Sequence, residues 1–321
     1  MSKATKIWLF TATVLVTLGL ILFAGVMANY DWDFSKLSTV TYVTNTYETN
    51  GEFDKISINV DTTEIEFVPT EDESCSIVCF EAEKVKHSAI VQNGTLVIDT
   101  IDTRKWYDYI CISIGTPKMT VYLPQNEYAS LFIETDTGDI NIPKDFTFEK
   151  IKIDGDTSEV GCFASVSNVL EVELSTGDIS VDSITVGQAD LTTTTGEITV
   201  SNVTAKNDID VKTDTGKVKL TNVSCADFVA ESDTGTITLK NVVATGSFSV
   251  ESDTGDVRFE NSDAAQISVK TSTGDVTGTL LSEKVFITET STGRISVPKT
   301  TSGGKCEIIT ATGDIKINVT P

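Results

Sequence analysis

Apolar and polar residues alternate with a period of two along most of the chain, and from about Leu131 a bend interrupts the alternation every 19 or 20 residues. The bend carries glycine at Gly138, Gly177, Gly196, Gly216, Gly235, Gly255, Gly274, Gly293 and Gly313. Ser158 fills the double step between Gly138 and Gly177, and Thr63 in "VDTTEIEF" is an upstream outlier. Counting the bend as zero, position −7 holds residues such as Leu131, Phe228 and Phe248, and position −5 holds Ile133, Val172 and Val250. Position −3 is mostly Thr or Ser, +2 is always Ile or Val, and +4 is usually apolar. Period two on both sides of a bend predicts two short strands per unit. A unit of this length cannot bury its own apolar face, but a stack of them can. The predicted fold class is therefore all-β, a single-chain β-solenoid of about ten rungs, each about 4.8 Å from the next. Glycine is expected to supply a positive-φ corner. Asp or Thr beside it is expected to bond nearby main chain, and Asn202, Asn222, Asn241 and Asn261, all at +6, to bond one another.

Upstream the pattern changes. Ile7 to Ala28 carries no charge, is long enough to cross a bilayer, and follows Lys3 and Lys6. The positive-inside tendency then leaves a short N-terminus in the cytoplasm and the rest outside, with Tyr30, Trp32 and Phe34 as an interfacial belt. A cleaved signal peptide is the alternative, with Val26-Met27-Ala28 as a cleavage site, but the apolar run exceeds the usual length and favours a retained anchor. The C-terminal "KINVTP" lacks an apolar tail, so anchoring is expected to be N-terminal. Residues 29–50, rich in Thr, Asn and Tyr without a period, read as a stalk. Residues 51–130 read as a β-rich cap over the first rung, with a two-residue turn at Asn93-Gly94 and strand-like runs "ICISIG" and "KMTVYLP". The expected organisation is 1–6 cytoplasmic, 7–28 transmembrane anchor, 29–50 stalk, 51–130 cap and 131–321 repeat array.

The net charge of −23 narrows the partners. It excludes nucleic acid, which needs clustered Lys and Arg, and disfavours lying flat on anionic lipid. A membrane contact through the N-terminal helix, an envelope protein, a wall polymer or a cationic peptide remain.

The "INVDTTEIEFVP" opening, the "LVID…ICISIG…MTVYLP" middle and the many "TGDI"-type corners together resemble the bacterial β-strand-repeat family known as "putative adhesins", a domain of unknown function. The resemblance covers roughly residues 50 to 320. It implies a β-solenoid envelope protein, with some relatives linked to the Lia-type cell-envelope stress response. It brings no catalytic residues.

Candidate chemistry is sparse. Asp136/Asp139, Asp156/Glu159 and Asp253/Asp256 share one spacing across the bend. Two carboxylates are the equipment of a glycosidase or half a calcium site. A reactive constellation would be unique, however, and this one recurs with Ser, Thr, Lys or Arg often replacing an acid, so turn chemistry is the stronger reading. His87, the sole histidine, has no nearby Cys or Asp arrangement in sequence. Trp106, Tyr107 and Tyr109 form the one exposed-looking aromatic cluster, either a partner patch or local packing. Of the six cysteines, which outside a membrane could form disulfides, Cys162, Cys225 and Cys306 occupy core slots. Cys75 and Cys79 point the same way along one strand and lie too far apart to bond each other. No phosphate-binding loop, dinucleotide fingerprint or zinc spacing is present, so no catalytic, cofactor or metal residue is assigned. The expected function is a membrane-anchored, non-catalytic binding, sensing or adhesin-like module at the cell envelope. The alternative is a β-helix enzyme acting on cell-wall glycan.

Overall fold

A computed structural model describes residues 2–49, 51–72 and 74–320. The chain opens with the helix Lys3–Asn29, whose first turn is capped by the Ser2 hydroxyl accepting from the Thr5 N–H at 3.2 Å. Its 27 residues span about 40 Å at 1.5 Å per residue. It is apolar on all sides, long enough to cross a membrane, and packs on no part of the β domain over that window.

Everything after residue 41 that is regular is strand. The inward positions stack in parallel register, as in Ile209 on Phe228, Phe248, Ile267 and Cys306. Positions −7, −5, +2 and +4 are buried through the body of the column, for example Phe228, Ala230, Ile237 and Leu239, but not in the Gly293 unit, where Ile295 is exposed. The fold is the all-β solenoid of roughly ten turns that the periodicity predicts, and the bends form one column.

The expected positive φ is present at Gly138, Gly177, Gly235, Gly255, Gly274 and Gly313, at 137–158°, but not at Gly196, Gly216 and Gly293, so conformational freedom does not explain the whole column. The common constraint is approach. A Cβ on Gly235 would lie 1.6 Å from the Gly216 carbonyl oxygen, and one on Gly216 1.8 Å from that of Gly196. The hydroxyl at −3 closes the same corner. Thr193 donates to the Gly177 carbonyl at 3.0 Å and Thr213 to that of Gly196 at 3.1 Å. Three of the four asparagines form the expected ladder: Asn241 donates to Asn222, Asn222 to Asn202 and Asn202 to Asp182, each at 2.9 Å, while Asn261 instead accepts from the Thr279 hydroxyl at 3.3 Å. All four +6 asparagines, with Ser183 below them, have φ between 51° and 59°. This is the left-handed region that asparagine tolerates better than most residues.

Both ends depart from simple sequential stacking. Thr63, the apparent outlier, is the foot of the column, directly under Gly138. Strands Lys55–Thr62 and Glu64–Thr70 form the rung below the array, and Thr95–Asp102 and Lys118–Pro124 form the rung below that. Antiparallel strands then close the end. Val85–Gln92 covers Thr95–Asp102, Cys75–Ala82 covers Lys118–Pro124, and Tyr42–Thr49 covers Cys75–Ala82. The second half of the expected stalk is thus a cap strand. Its inward residues are polar (Asn45, Tyr47), which removes the apolar alternation that marks a strand. "KMTVYLP" is a strand and Asn93-Gly94 is the expected two-residue turn, with φ of 51° and 75°. "ICISIG" is not a strand. The Thr39 and Ser38 hydroxyls accept from the Ile112 and Ile114 N–H groups where a ladder would otherwise run.

At the far end the last two units exchange places. Gly304–Thr312 and Ile315–Val319 slot between the Gly274 rung and the strands Lys284–Thr292 and Ile295–Ser296. The more apolar unit, with Cys306, Ile308, Ile315 and Ile317, lies inside. The unit with Thr288 at an inward slot and Pro298 after its short second strand forms the open edge, where a missing N–H costs nothing.

The Asn ladder makes a test. Asn222→Ala has to hold φ near 55° without its side-chain bonds and is expected to lose about 2 kcal/mol in urea unfolding. Asn222→Gly keeps the backbone and is expected to lose about half as much. Equal losses would show that the backbone conformation is not the dominant cost.

Candidate functional site

The corner acids are engaged by the fold. The Asp139, Asp178, Asp256, Asp275 and Asp314 carboxylates each accept the main-chain N–H of the next rung at the same corner, at 2.7–3.2 Å. All five acceptors are aspartate. Of the first acids, Asp156 and Asp253 accept from Ser175 and Ser272 at 3.2 and 3.4 Å. Asp253 and Asp256 therefore mark a bend, and each carboxylate already has a local donor.

A different cluster lies in the cap, where sequence spacing indicated none. Glu81 is fully buried, on the inward face of Cys75–Ala82 beside Cys79. Its Oε1 accepts from Asn45 and from the Tyr47 hydroxyl, both at 2.6 Å. Its Oε2 accepts from the His87 main-chain N–H at 2.8 Å and from His87 Nδ1 at 2.6 Å. Burial alone would raise the Glu81 pKa, but these four donors outweigh it and hold the carboxyl below its ordinary range. Burial, and then the Glu81 charge, push the Cys79 thiol up to about 12 and the Tyr47 hydroxyl up as well, so both keep their protons.

His87 Nε2 meets the Thr63 hydroxyl at 3.2 Å. Carboxylate, imidazole and hydroxyl thus stand in the order of a charge-relay triad. Thr63 and His87 are only 2% and 5% exposed, however, and Thr63 is the foot of the glycine column. The network ties four cap and rung segments together. Cys79, Glu81 and His87 form the one cluster of three possible metal ligands among the described residues, yet both Glu81 oxygens and both His87 nitrogens already have partners.

Above this network lies a cavity of about 460 Å³, walled by the Glu83-Lys84 turn, residues 39–42 and the irregular arm 103–117. Asp102 holds Arg104 through both carboxylate oxygens, and that guanidinium keeps the Asp102 carboxyl down to about 2. Arg104 also lies 4.6 Å over the Tyr109 ring. Lys84 pairs with Asp108 across the mouth. The arm presents Trp106, Tyr107 and Tyr109 to solvent together with Ile110 and Ile112, so the cluster is a surface feature and not local packing. Large exposed apolar side chains are concentrated at the two ends of the solenoid. Between Tyr128 and Leu280, Val243 is the only one among the described residues. All six cysteines are unpaired. Cys111, on the arm, is exposed and the other five are buried.

The profile of a family described as Toastrack DUF4097 matches residues 53–318. Among solved structures, a "putative adhesin" from Parabacteroides distasonis ATCC 8503 aligns over 85% of this chain and 98% of its own, at 12% identity and a TM-score of 0.52. A "putative adhesin" from Bacteroides fragilis NCTC 9343 aligns over 87% of this chain and 97% of its own, at 15% identity and a TM-score of 0.41. At such identities the likeness concerns the fold alone. No curated protein matches the chain.

The Glu81 network predicts a signed pH effect. A carboxyl held below its unfolded pKa stabilises the fold above that value, and the contribution is lost as pH falls through the folded one. Glu81→Gln is expected to cost about 3 kcal/mol at pH 7 in denaturant unfolding, and to lose less further stability than the parent on acidification. A parent and variant that respond identically to acid would remove the carboxylate from this role.

Proposed function

The chain belongs to the Toastrack DUF4097 family, and from that premise we propose that it is a membrane-tethered, extracytoplasmic, non-catalytic solenoid that binds cationic ligands along its acidic flank. Helix Lys3–Asn29 supplies the tether, with Lys3 and Lys6 favouring a cytoplasmic N-terminus. Five corner carboxylates accept main-chain N–H groups and Asp156 and Asp253 accept serine hydroxyls, which argues for a scaffold and against glycan hydrolysis.

The observation that carries the ligand class is one outward column. Glu171, Asp190 and Asp210 stack on consecutive rungs in parallel register. Lys152 pairs with Glu171 at one end of the column. Partial burial, and then the neighbouring acids, push the Asp190 and Asp210 carboxyls above their ordinary range. Adjacent like charges raise the potential that a cation would relieve. In a chain of net charge −23, such a field attracts basic peptides within a Debye length of about 10 Å at 0.1 M salt.

An oligolysine peptide titrated onto the full chain in phosphatidylcholine nanodiscs tests this. Binding should weaken steadily with added salt, and Asp190→Asn/Asp210→Asn should weaken it by about tenfold, equivalent to 1.4 kcal/mol. Affinity independent of salt and of both aspartates would contradict the proposal.

A further inference from the structure

Among the described residues, the arm 103–117 is the one long irregular excursion from the solenoid body after the cap begins, and it presents large apolar side chains to solvent. Trp106 and Ile110 are 78% and 81% exposed. Tyr107, Tyr109 and Ile112 extend the same surface. Ring systems with one polar atom, beside bare aliphatic side chains, suit the boundary between lipid headgroups and acyl chains.

The position of the arm makes that boundary available. The Thr39 N–H donates to the Ile112 carbonyl at 2.8 Å, and the Tyr42 hydroxyl bonds Ser113 Oγ at 2.6 Å. The arm is therefore fastened to the segment that leaves the membrane-length helix at Asn29. Ten residues from Asn29 to Thr39 reach at most about 35 Å, and five from Phe34 to Thr39 at most about 17 Å. The turn of 3₁₀-helix at Phe34–Leu37 shortens that reach further. Trp32 and Phe34, both exposed, stand at the helix exit. Lys84 and Arg104, at the base of the arm, are paired with Asp108 and Asp102, so the surface that the arm offers is apolar rather than charged.

We propose that this arm inserts Trp106, Tyr107, Tyr109, Ile110 and Ile112 into the interface of the leaflet from which the solenoid emerges, giving the domain a second, monotopic membrane contact. The inference rests on the tether read from helix Lys3–Asn29. Two contacts hold the capped end against the bilayer and leave the open edge and acidic flank directed away from it.

The three tryptophans, Trp8, Trp32 and Trp106, make the test direct. The full chain is reconstituted in vesicles of phosphatidylcholine and phosphatidylglycerol, with or without bromine near the headgroup end of the acyl chains. In Trp8→Phe/Trp32→Phe, Trp106 is expected to emit at shorter wavelength than in detergent-free buffer models of free indole and to lose about half its intensity to the bromines, as an interfacial indole does. In Trp32→Phe/Trp106→Phe, Trp8 reports the tether and should also be quenched. Quenched Trp8 with unquenched, water-like Trp106 overturns the arm contact and leaves the tether standing. An unquenched Trp8 overturns the tether and the inference with it. A blue-shifted Trp106 that lipid bromine does not touch overturns the inference in favour of a protein contact, such as a second copy.

Discussion

One steric constraint organises this protein. At the glycine bends the main chain passes so close to the carbonyl of the neighbouring bend that no Cβ fits between them, with Thr63 and Ser158 as the two bends of the column that carry a side chain. The close approach lines up the bends, and alignment of the bends places every inward side chain on its counterpart. The alternation then turns a modest apolar composition into one continuous core. The −3 hydroxyls of Thr193, Thr213, Ser232, Thr290 and Thr310, and aspartates such as Asp178 and Asp256, bond to main-chain groups that this geometry leaves beside them. The conspicuous acids follow from the backbone geometry, which explains why they recur and why Lys217 or Thr236 can replace them at individual corners.

The two ends solve the exposed-edge problem differently. At the capped end a chain-order inversion adds a second rung, and antiparallel strands cover its edge. The Glu81–His87 network locks those strands to the foot of the column. At the distal end the less apolar unit is placed outermost, with Pro298 beyond its last strand. Parallel edges left unpaired invite further pairing, and polar inward residues together with a nearby proline reduce that tendency. The body between is acidic and almost free of exposed large apolar side chains, so contacts with apolar surfaces concentrate at the ends and electrostatic contacts along the flank.

The repeat array was legible because exclusion of Cβ imposes a strict residue count, and a strict count is visible in one sequence. The +6 asparagines were legible for the same reason. The exchange of the last two units was not, since both present Ile at +2 and an apolar residue at −7. Thr288 and Pro298 were the available hints. The strand Tyr42–Thr49 was hidden because its inward residues are Asn45 and Tyr47, chosen to bond Glu81 and not to fill a core. Glu81 itself carried a signal, a charge on the inward side of an alternating strand after Cys75, Ile77 and Cys79. Its partners come from two other strands, Tyr42–Thr49 and Val85–Gln92, so no local spacing revealed them. The aromatic cluster was visible as composition, but its attachment to residues 38–42, and hence its nearness to the helix, belongs to tertiary structure.

The glycine column carries the fold, and the acids beside it do not. Denaturant unfolding of Gly235→Ala alongside Asp253→Ala measures that contrast. Gly235→Ala is expected to lose more than about 4 kcal/mol or to unfold without cooperativity, while Asp253→Ala stays within about 1 kcal/mol of the parent. A Gly235→Ala protein as stable as the parent would contradict it.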